Sequence, residues 1–532
     1  MTRCYGWSIP IIFYALLQGT SHSEGRSDEN RRKTRVEVPI IDISPLLKPN
    51  NASASAAAEE VVAAIGKAAI DTGFFYLAGH GVDLTLERRL MASAKAFFAL
   101  PTSVKQRRLS MSQGGKAWRG YFAVGEDLTS GIVDQKEGIY FGREGDLEDP
   151  RPMHGVNLWP GNTEILEAIA GHWAGAPCTV DKGALETCMR SENCSKIELA
   201  EANRRMKAAT LAAEALGDME SAVTTWMAHM EVLGKVLMRA VFAALFRDKR
   251  GQVSGNAGRK CEARFHAYFE NEPLTLFRIF NYPPNDSVKW GEHSWAVGEH
   301  SDYGFLTLLL QDHKGGLEAR DWHWVQGSSV SDEYGEDRPS ASEGWIDVPP
   351  IEHTLVVNFG DALEQLTGGL VRATPHRVRP RINATNRTQK QIKHEILSKN
   401  NVGMQTNGDC DPSTNDDIFS GRLSFPFFFD PNWDAVMESA VPCLDRELRD
   451  RYAISQRASS DHSYRRWDGK KLGALLPTRA GESASQTTAT YGEYVTSKVA
   501  KVFPELAKET EFPGTSSDLV SSGSPGAEAD EL

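Results

Sequence analysis

His300 and Asp302, in Val297-Gly298-Glu299-His300-Ser301-Asp302-Tyr303-Gly304, stand two residues apart and precede the apolar run Phe305-Leu306-Thr307-Leu308-Leu309-Leu310. On an extended strand this spacing puts an imidazole and a carboxylate on one face. Side by side, they can hold two adjacent positions on one metal ion. His376, in Thr374-Pro375-His376-Arg377-Val378, is the candidate for the third ligand. Two His and one carboxylate on one face of an octahedron leave three positions for small molecules, an arrangement suited to Fe(II). The same donors also bind zinc, so a zinc hydrolase is a second reading, although no separate general-base motif accompanies it. Alone the pair is weak evidence, because the chain has 14 His and a strand-end His is commonly surface or satisfied core.

A second pair strengthens it. Arg422 and Ser424, in Gly421-Arg422-Leu423-Ser424-Phe425-Pro426-Phe427-Phe428-Phe429-Asp430-Pro431, are again two apart and share a strand face. A guanidinium fork with a hydroxyl beside it is suited to gripping a carboxylate. The bland reading is a surface Arg entering a buried aromatic strand.

The run from Val297 to Asp312, then Trp345-Ile346-Asp347-Val348-Pro349-Pro350, Asn358-Phe359-Gly360-Asp361, Leu366-Thr367-Gly368-Gly369, His376 and Arg422-x-Ser424 resembles the isopenicillin N synthase-like family of Fe(II)/2-oxoglutarate dioxygenases. The N-terminal half adds Gly73-Phe74-Phe75, His80-Gly81-Val82, Phe97-Phe98-Ala99-Leu100-Pro101, Arg119-Gly120-Tyr121-Phe122 and Asp134-Gln135-Lys136-Glu137-Gly138. The resemblance implies a mainly β fold with flanking helices, its core a cupin-like double-stranded β-helix or jelly roll. It implies Fe(II) on His300, Asp302 and His376. It also implies 2-oxoglutarate as cosubstrate, its distal carboxylate on Arg422 and Ser424, and dioxygen as oxidant. Tyr282, in the Tyr-Pro-Pro ending of Leu276–Pro284, falls where relatives have a tyrosine reaching cosubstrate or substrate. An equally weighted alternative is a buried strand-end Tyr with its hydroxyl on backbone. The implied reaction couples decarboxylation of 2-oxoglutarate to succinate with oxidation, usually hydroxylation, of a small organic molecule. A same-fold Fe(II) oxidase that does not use 2-oxoglutarate and a non-catalytic metal-binding protein are the alternatives.

The elements that must position these residues are legible in outline. Val36–Ile43 alternates like a strand, and an Ala-rich helix over Ala52–Ile70 stops at Asp71-Thr72-Gly73, where Gly73 suits a C-cap. Phe74–Leu77 reads as a strand, and Leu86, Leu90, Ala94, Phe97 and Phe98 recur at helical spacing before Pro101. His80 reads as a structural turn residue rather than a ligand. From Trp226 through Met230, Leu233, Leu237, Val241 and Ala244 another helical stripe reads as core packing. The resulting organisation is an N-terminal region over 36–160, an Ala-, Glu- and Lys-rich insertion over 161–218, and a long helix with connector over 219–270. A jelly-roll domain follows over 271–435 with polar insertions near 326–343 and 383–418, then a helical region over 436–511 with Tyr491–Phe503 as its closing helix. Gly-, Ser- and acid-rich residues over 512–532 read as a disordered tail. Surface loops absorb such insertions at modest entropic cost, so the site can survive them.

The chain has 532 residues, 40% hydrophobic and 24% charged, with net charge -12. This is ample for a large core, and the acidic balance argues against nucleic acid as a partner. No apolar run reaches the length of a membrane span, and a monomer acting on a small molecule is the expectation. Residues 1–23 have the features of a signal peptide, with Arg3, the apolar stretch Ile9–Leu17 and Gly19-Thr20-Ser21. The terminal Ala529-Asp530-Glu531-Leu532 resembles endoplasmic-reticulum retention signals, with Ala529 in place of the usual first residue. Together these favour the reticulum lumen, the cytoplasm being the alternative. Of the seven Cys, Cys178, Cys188 and Cys194 cluster without a zinc spacing and read as a local staple or as ordinary thiols. Sequons at Asn51, Asn193, Asn383 and Asn386 permit glycosylation.

Overall fold

A computed structural model of the chain describes residues 38–48, 52–129, 132–160, 210–248, 251–253, 255–284, 295–321, 344–379, 421–448, 450 and 489–502. The leader, most of the insertion with Cys178, Cys188 and Cys194, the two polar stretches and the acidic tail lie outside the described residues.

The strands are β1 (Ile40–Asp42), β2 (Phe74–Ala78), β3 (Gly120–Phe122), β4 (Leu128–Thr129), β5 (Ile132–Val133), β6 (Glu137–Gly142) and β7 (Pro273–Tyr282). They continue with β8 (Val297–His300), β9 (Leu306–Gln311), β10 (Leu317–Arg320), β11 (Trp345–Asp347), β12 (Leu355–Phe359), β13 (His376–Val378) and β14 (Arg422–Asn432). Eight form one sheet in the order β1-β2-β12-β9-β14-β7-β6-β3, and four form a second in the order β11-β10-β13-β8. This is the double-stranded β-helix. The outer β1 pairs parallel with β2, whereas every pairing from β2 to β3 across the large sheet is antiparallel. Both faces of the large sheet are covered, so its central strands are near-continuous apolar runs, as in the wholly buried Leu355–Phe359.

Helices supply the cover. The Ala-rich α1 (Ala52–Asp71) ends where expected, with Gly73 in the left-handed region at φ 68°. A Cβ there would lie 2.4 Å from the Arg372 carbonyl oxygen, so only glycine fits this turn. Next comes α2 (Leu84–Phe98), whose Asp83 cap accepts from the Thr85 N–H at 2.7 Å. The long α3 (Met219–Phe246) buries Trp226, Met230, Leu233, Leu237 and Val241, the stripe its spacing predicts. At Gly234 it comes so close to β14 that a Cβ would meet the Phe429 ring at 2.5 Å. After it run α4 (Gly255–Glu270), the short α5 (Asp361–Leu366) and α6 (Tyr491–Val502).

The N-terminal region is welded to the jelly roll through Glu137 on β6. Its carboxylate accepts from Lys105 Nζ at 2.7 Å, the Tyr121 hydroxyl at 2.6 Å and Asn281 Nδ2 at 2.8 Å. A disulfide joins Cys261 on α4 to Cys443, with Cα atoms 6.0 Å apart. Its partners are remote in sequence and lie outside the cysteine cluster that reads as a staple.

Candidate metal and cosubstrate site

His300 ends β8 and His376 begins β13, and the two are direct partners in the antiparallel register. Their rings lie with centroids 4.3 Å apart. Asp302 follows β8 on the turn into β9. Its Oδ1 is 3.8 Å from His376 Nε2 and 4.0 Å from His300 Nε2. The ligand atoms of all three fall within 4.8 Å of one another, the spacing of donors around one ion. The three residues picked from the sequence are therefore brought together, across strands remote in sequence.

Each ligand is oriented from behind. His300 Nδ1 donates to the Gly298 carbonyl at 2.8 Å, and His376 Nδ1 donates to the Thr374 carbonyl at 3.1 Å. With the Nδ1 protons so committed, both Nε2 lone pairs turn to the common centre. Burial, then the neighbouring His376 ring, pushes His300 down to about 3, so its imidazole stays neutral as a metal ligand must. Asp302 Oδ2 accepts from Thr307 Oγ1 at 2.5 Å and Asn358 Nδ2 at 2.6 Å, which leaves Oδ1 toward the histidines. Burial opposes its ionisation, yet the two histidines and these two hydrogen bonds hold its carboxyl below the usual range. The main chain around it is fixed by α5, whose Asp361 N–H donates to the Asp302 carbonyl at 2.8 Å. The donor set, its tautomers and its convergent free atoms fit Fe(II).

Neither Thr307 nor Asn358 was picked out as functional. Thr307 is hidden in an apolar run, and its one signal is a hydroxyl at an alternating position of a buried strand. In Asn358-Phe359-Gly360-Asp361, Asn358 holds the Asp302 carboxylate and the Asp361 N–H holds its backbone carbonyl.

Arg422 and Ser424 lie at the start of β14, both 3% exposed. Arg422 pairs in register with Tyr282, and its guanidinium sits 4.7 Å from that ring centroid. Its Nε donates to the Gly315 carbonyl at 2.6 Å and its Nη2 to Gln311 at 3.3 Å, while Nη1 is buried without a partner. The Tyr282 hydroxyl lies 3.3 Å from Ser424 Oγ, not on backbone. A guanidinium with an orphaned nitrogen thus lies against the Tyr282 ring, on one buried strand face with the paired Tyr282 and Ser424 hydroxyls. A carboxylate would satisfy them.

His80, Glu87 and His353 form a second group of metal-ligating types. Here the Val82 N–H donates to His80 Nδ1 at 3.2 Å. That puts the proton of the neutral ring on Nε2 and removes the lone pair a metal would need. His80 is the turn residue the sequence suggests.

Residues 38–162 match the N-terminal region described as non-haem dioxygenase in morphine synthesis, and residues 272–431 match the 2OG-Fe(II) oxygenase superfamily. A probable iron/ascorbate oxidoreductase of Dictyostelium discoideum is 30% identical over 489 residues, covering 88% of this chain and 96% of that protein. A 1-aminocyclopropane-1-carboxylate oxidase of Dictyostelium mucoroides is 24% identical over 494 residues, with 88% and 96% covered. Among solved structures, a full-length Neurospora crassa protein in complex with alpha-KG and thymine aligns at a TM-score of 0.46 and 19% identity, covering 79% of this chain and 97% of that one. The chain belongs to the 2OG-Fe(II) oxygenase superfamily, in its isopenicillin N synthase-like branch. It is a non-haem dioxygenase that uses Fe(II), 2-oxoglutarate and dioxygen.

Proposed function

We propose that His300, Asp302 and His376 hold the iron, and that Arg422, Ser424 and Tyr282 hold the distal carboxylate of 2-oxoglutarate. The reaction is the hydroxylation of a small organic substrate. The observation that carries this reading is the buried, unpartnered Nη1 of Arg422 beside Ser424 and Tyr282, on the same sheet as the residues that anchor Asp302. Bound iron supplies the activation of dioxygen, coupled to loss of carbon dioxide from 2-oxoglutarate and formation of succinate. The chain's own part is geometric. Thr307 and Asn358 fix which oxygen Asp302 presents, and the Gly298 and Thr374 carbonyls fix the two imidazoles. The Phe74 ring, edge-on to His376 at 5.5 Å, closes the far side against water.

The test is the ratio of succinate formed to substrate oxidised by the purified protein supplied with Fe(II). A one-to-one ratio supports the reading. Full-rate substrate oxidation without 2-oxoglutarate would transfer Arg422 and Ser424 to binding the substrate's own carboxylate.

We propose in addition that the protein resides in the reticulum lumen, the cytoplasm being the alternative. The Cys261–Cys443 disulfide supports it, since such bonds persist in oxidising compartments. A tagged full-length chain found in the cytosol would overturn that placement.

A further inference from the structure

Arg278 lies on β7 between Phe277 and Ile279, the one charged residue of a mainly apolar strand. Side chains alternate along a strand, so Arg278 shares a face with Phe280 and Tyr282. The register then identifies the face. Tyr282 pairs with Arg422 and Phe280 with Ser424 on β14, while on β9 Ser424 pairs with Gln311 and Phe428 with Thr307. Thr307 in turn pairs with Asn358 on β12. Arg278 therefore projects from the same face as Arg422 and Ser424 at one end and the two anchors of Asp302 at the other.

Its surroundings on that face are aromatic. The guanidinium carbon lies 4.3 Å from the Tyr140 ring centroid and 4.8 Å from the Phe428 centroid. It is half-buried, its Nε is buried without a hydrogen-bond partner, and among the described residues it makes no ion pair. Two buried lysines nearby are matched by acids: Lys136, just before β6, is held by Asp127 at 2.9 Å and by Asp134, and Lys105 by Glu137. Asp430 lies within electrostatic reach of Arg278, and burial pushes that carboxyl up to about 7, so it is a weak counter-charge. A forked cation set between two rings, with an unpartnered donor and no ion-paired acid among the described residues, is pre-organised for an anion.

With 2-oxoglutarate assigned to Arg422, this second cation has no role in the cosubstrate. We infer that Arg278 is the substrate anchor, and that the substrate is an organic acid whose carboxylate pairs with Arg278 between Tyr140 and Phe428. The inference rests on the proposed cosubstrate site, which leaves Arg278 as the cation on this face without an ion pair among the described residues.

The test is anaerobic titration calorimetry on full-length protein saturated with Fe(II) and 2-oxoglutarate, using phenylacetate and phenylacetamide as probes. They match in shape and differ in charge. Wild type should bind phenylacetate about tenfold to a hundredfold more tightly than phenylacetamide, the range of one charge-assisted bond lost. Arg278→Gln should abolish that preference, and Arg278→Lys, which keeps the charge but not the fork, should restore part of it. All three proteins should bind 2-oxoglutarate alike, which shows that the variants are folded. Equal binding of the two probes by wild type, including none of either, overturns the inference, as does a preference that survives in Arg278→Gln. The 2-oxoglutarate titration reports separately on the proposed cosubstrate site. Its failure in wild type would count against that site rather than against Arg278.

Discussion

His300 and His376 are direct register partners on antiparallel strands, with their rings 4.3 Å apart, although they are far separated in the chain. The small sheet thus builds two-thirds of the metal site by strand pairing alone. Removing either imidazole leaves the pairing intact and takes away one ligand.

The His376→Ala variant should fold, and should lose most of its Fe(II) while wild type retains about one ion per chain, the stoichiometry of a single facial triad. Metal analysis after anaerobic gel filtration measures this. His313→Ala, at a histidine outside the triad, should retain the wild-type iron content.

Asn358 and Thr307 should matter almost as much as the ligands. Each donates to Asp302 Oδ2, and outer partners of this kind typically contribute roughly tenfold to a hundredfold in metal affinity. Asn358→Ala and Thr307→Val should weaken Fe(II) binding within that range, read by competition with a chelator. Unchanged affinity in both would mean that Asp302 is oriented by its main chain alone.

These two residues also show where sequence reasoning ran out. His300, Asp302 and His376 were legible because the His-x-Asp spacing coincided with a run of motifs that resembles one family. Arg422 and Ser424 were legible from their shared strand face together with the same resemblance. Thr307 and Asn358 act through a contact between different strands, and no local spacing encodes which strands become neighbours. The helices α2 and α3 were readable from periodicity and α1 from its Ala-rich run and Gly73 stop, since each buries one face, α1 and α2 largely against α3. Arg278 had a signal that went unused: a charge at an alternating position in an apolar strand. The Cys261–Cys443 bond had none, because it depends on where α4 comes to rest.

Glu137 should be a stability residue rather than a catalytic one. Its Glu137→Ala variant leaves Lys105 buried, 2% exposed, without its counter-charge. Breaking a buried pair from one side costs about 3–5 kcal/mol. Chemical denaturation should show a loss of that size, and Lys105→Met in the same chain should recover much of it. A loss under about 1 kcal/mol would mean that water reaches Lys105 in the native state.

Asp430 should make stability depend on pH. Burial raises its carboxyl to about 7, although the Phe305 N–H donates to it at 2.7 Å. A carboxyl raised on folding favours the native state fully below its unfolded value near 4. That contribution is lost as pH rises toward 7. Over this window wild type should lose stability relative to Asp430→Asn, by on the order of 3–4 kcal/mol at most. Parallel curves for the two proteins from pH 4 to 7 would show that Asp430 titrates normally.

The most direct test of the cosubstrate site is the affinity for 2-oxoglutarate of Arg422→Lys, measured anaerobically on iron-loaded protein. Lysine keeps the charge but loses the planar fork and the nitrogen that stands unpartnered beside Ser424 and Tyr282. Losing one charge-assisted bond should weaken binding by about tenfold to a hundredfold, with iron content unchanged. Wild-type affinity for 2-oxoglutarate in Arg422→Lys would contradict the assignment.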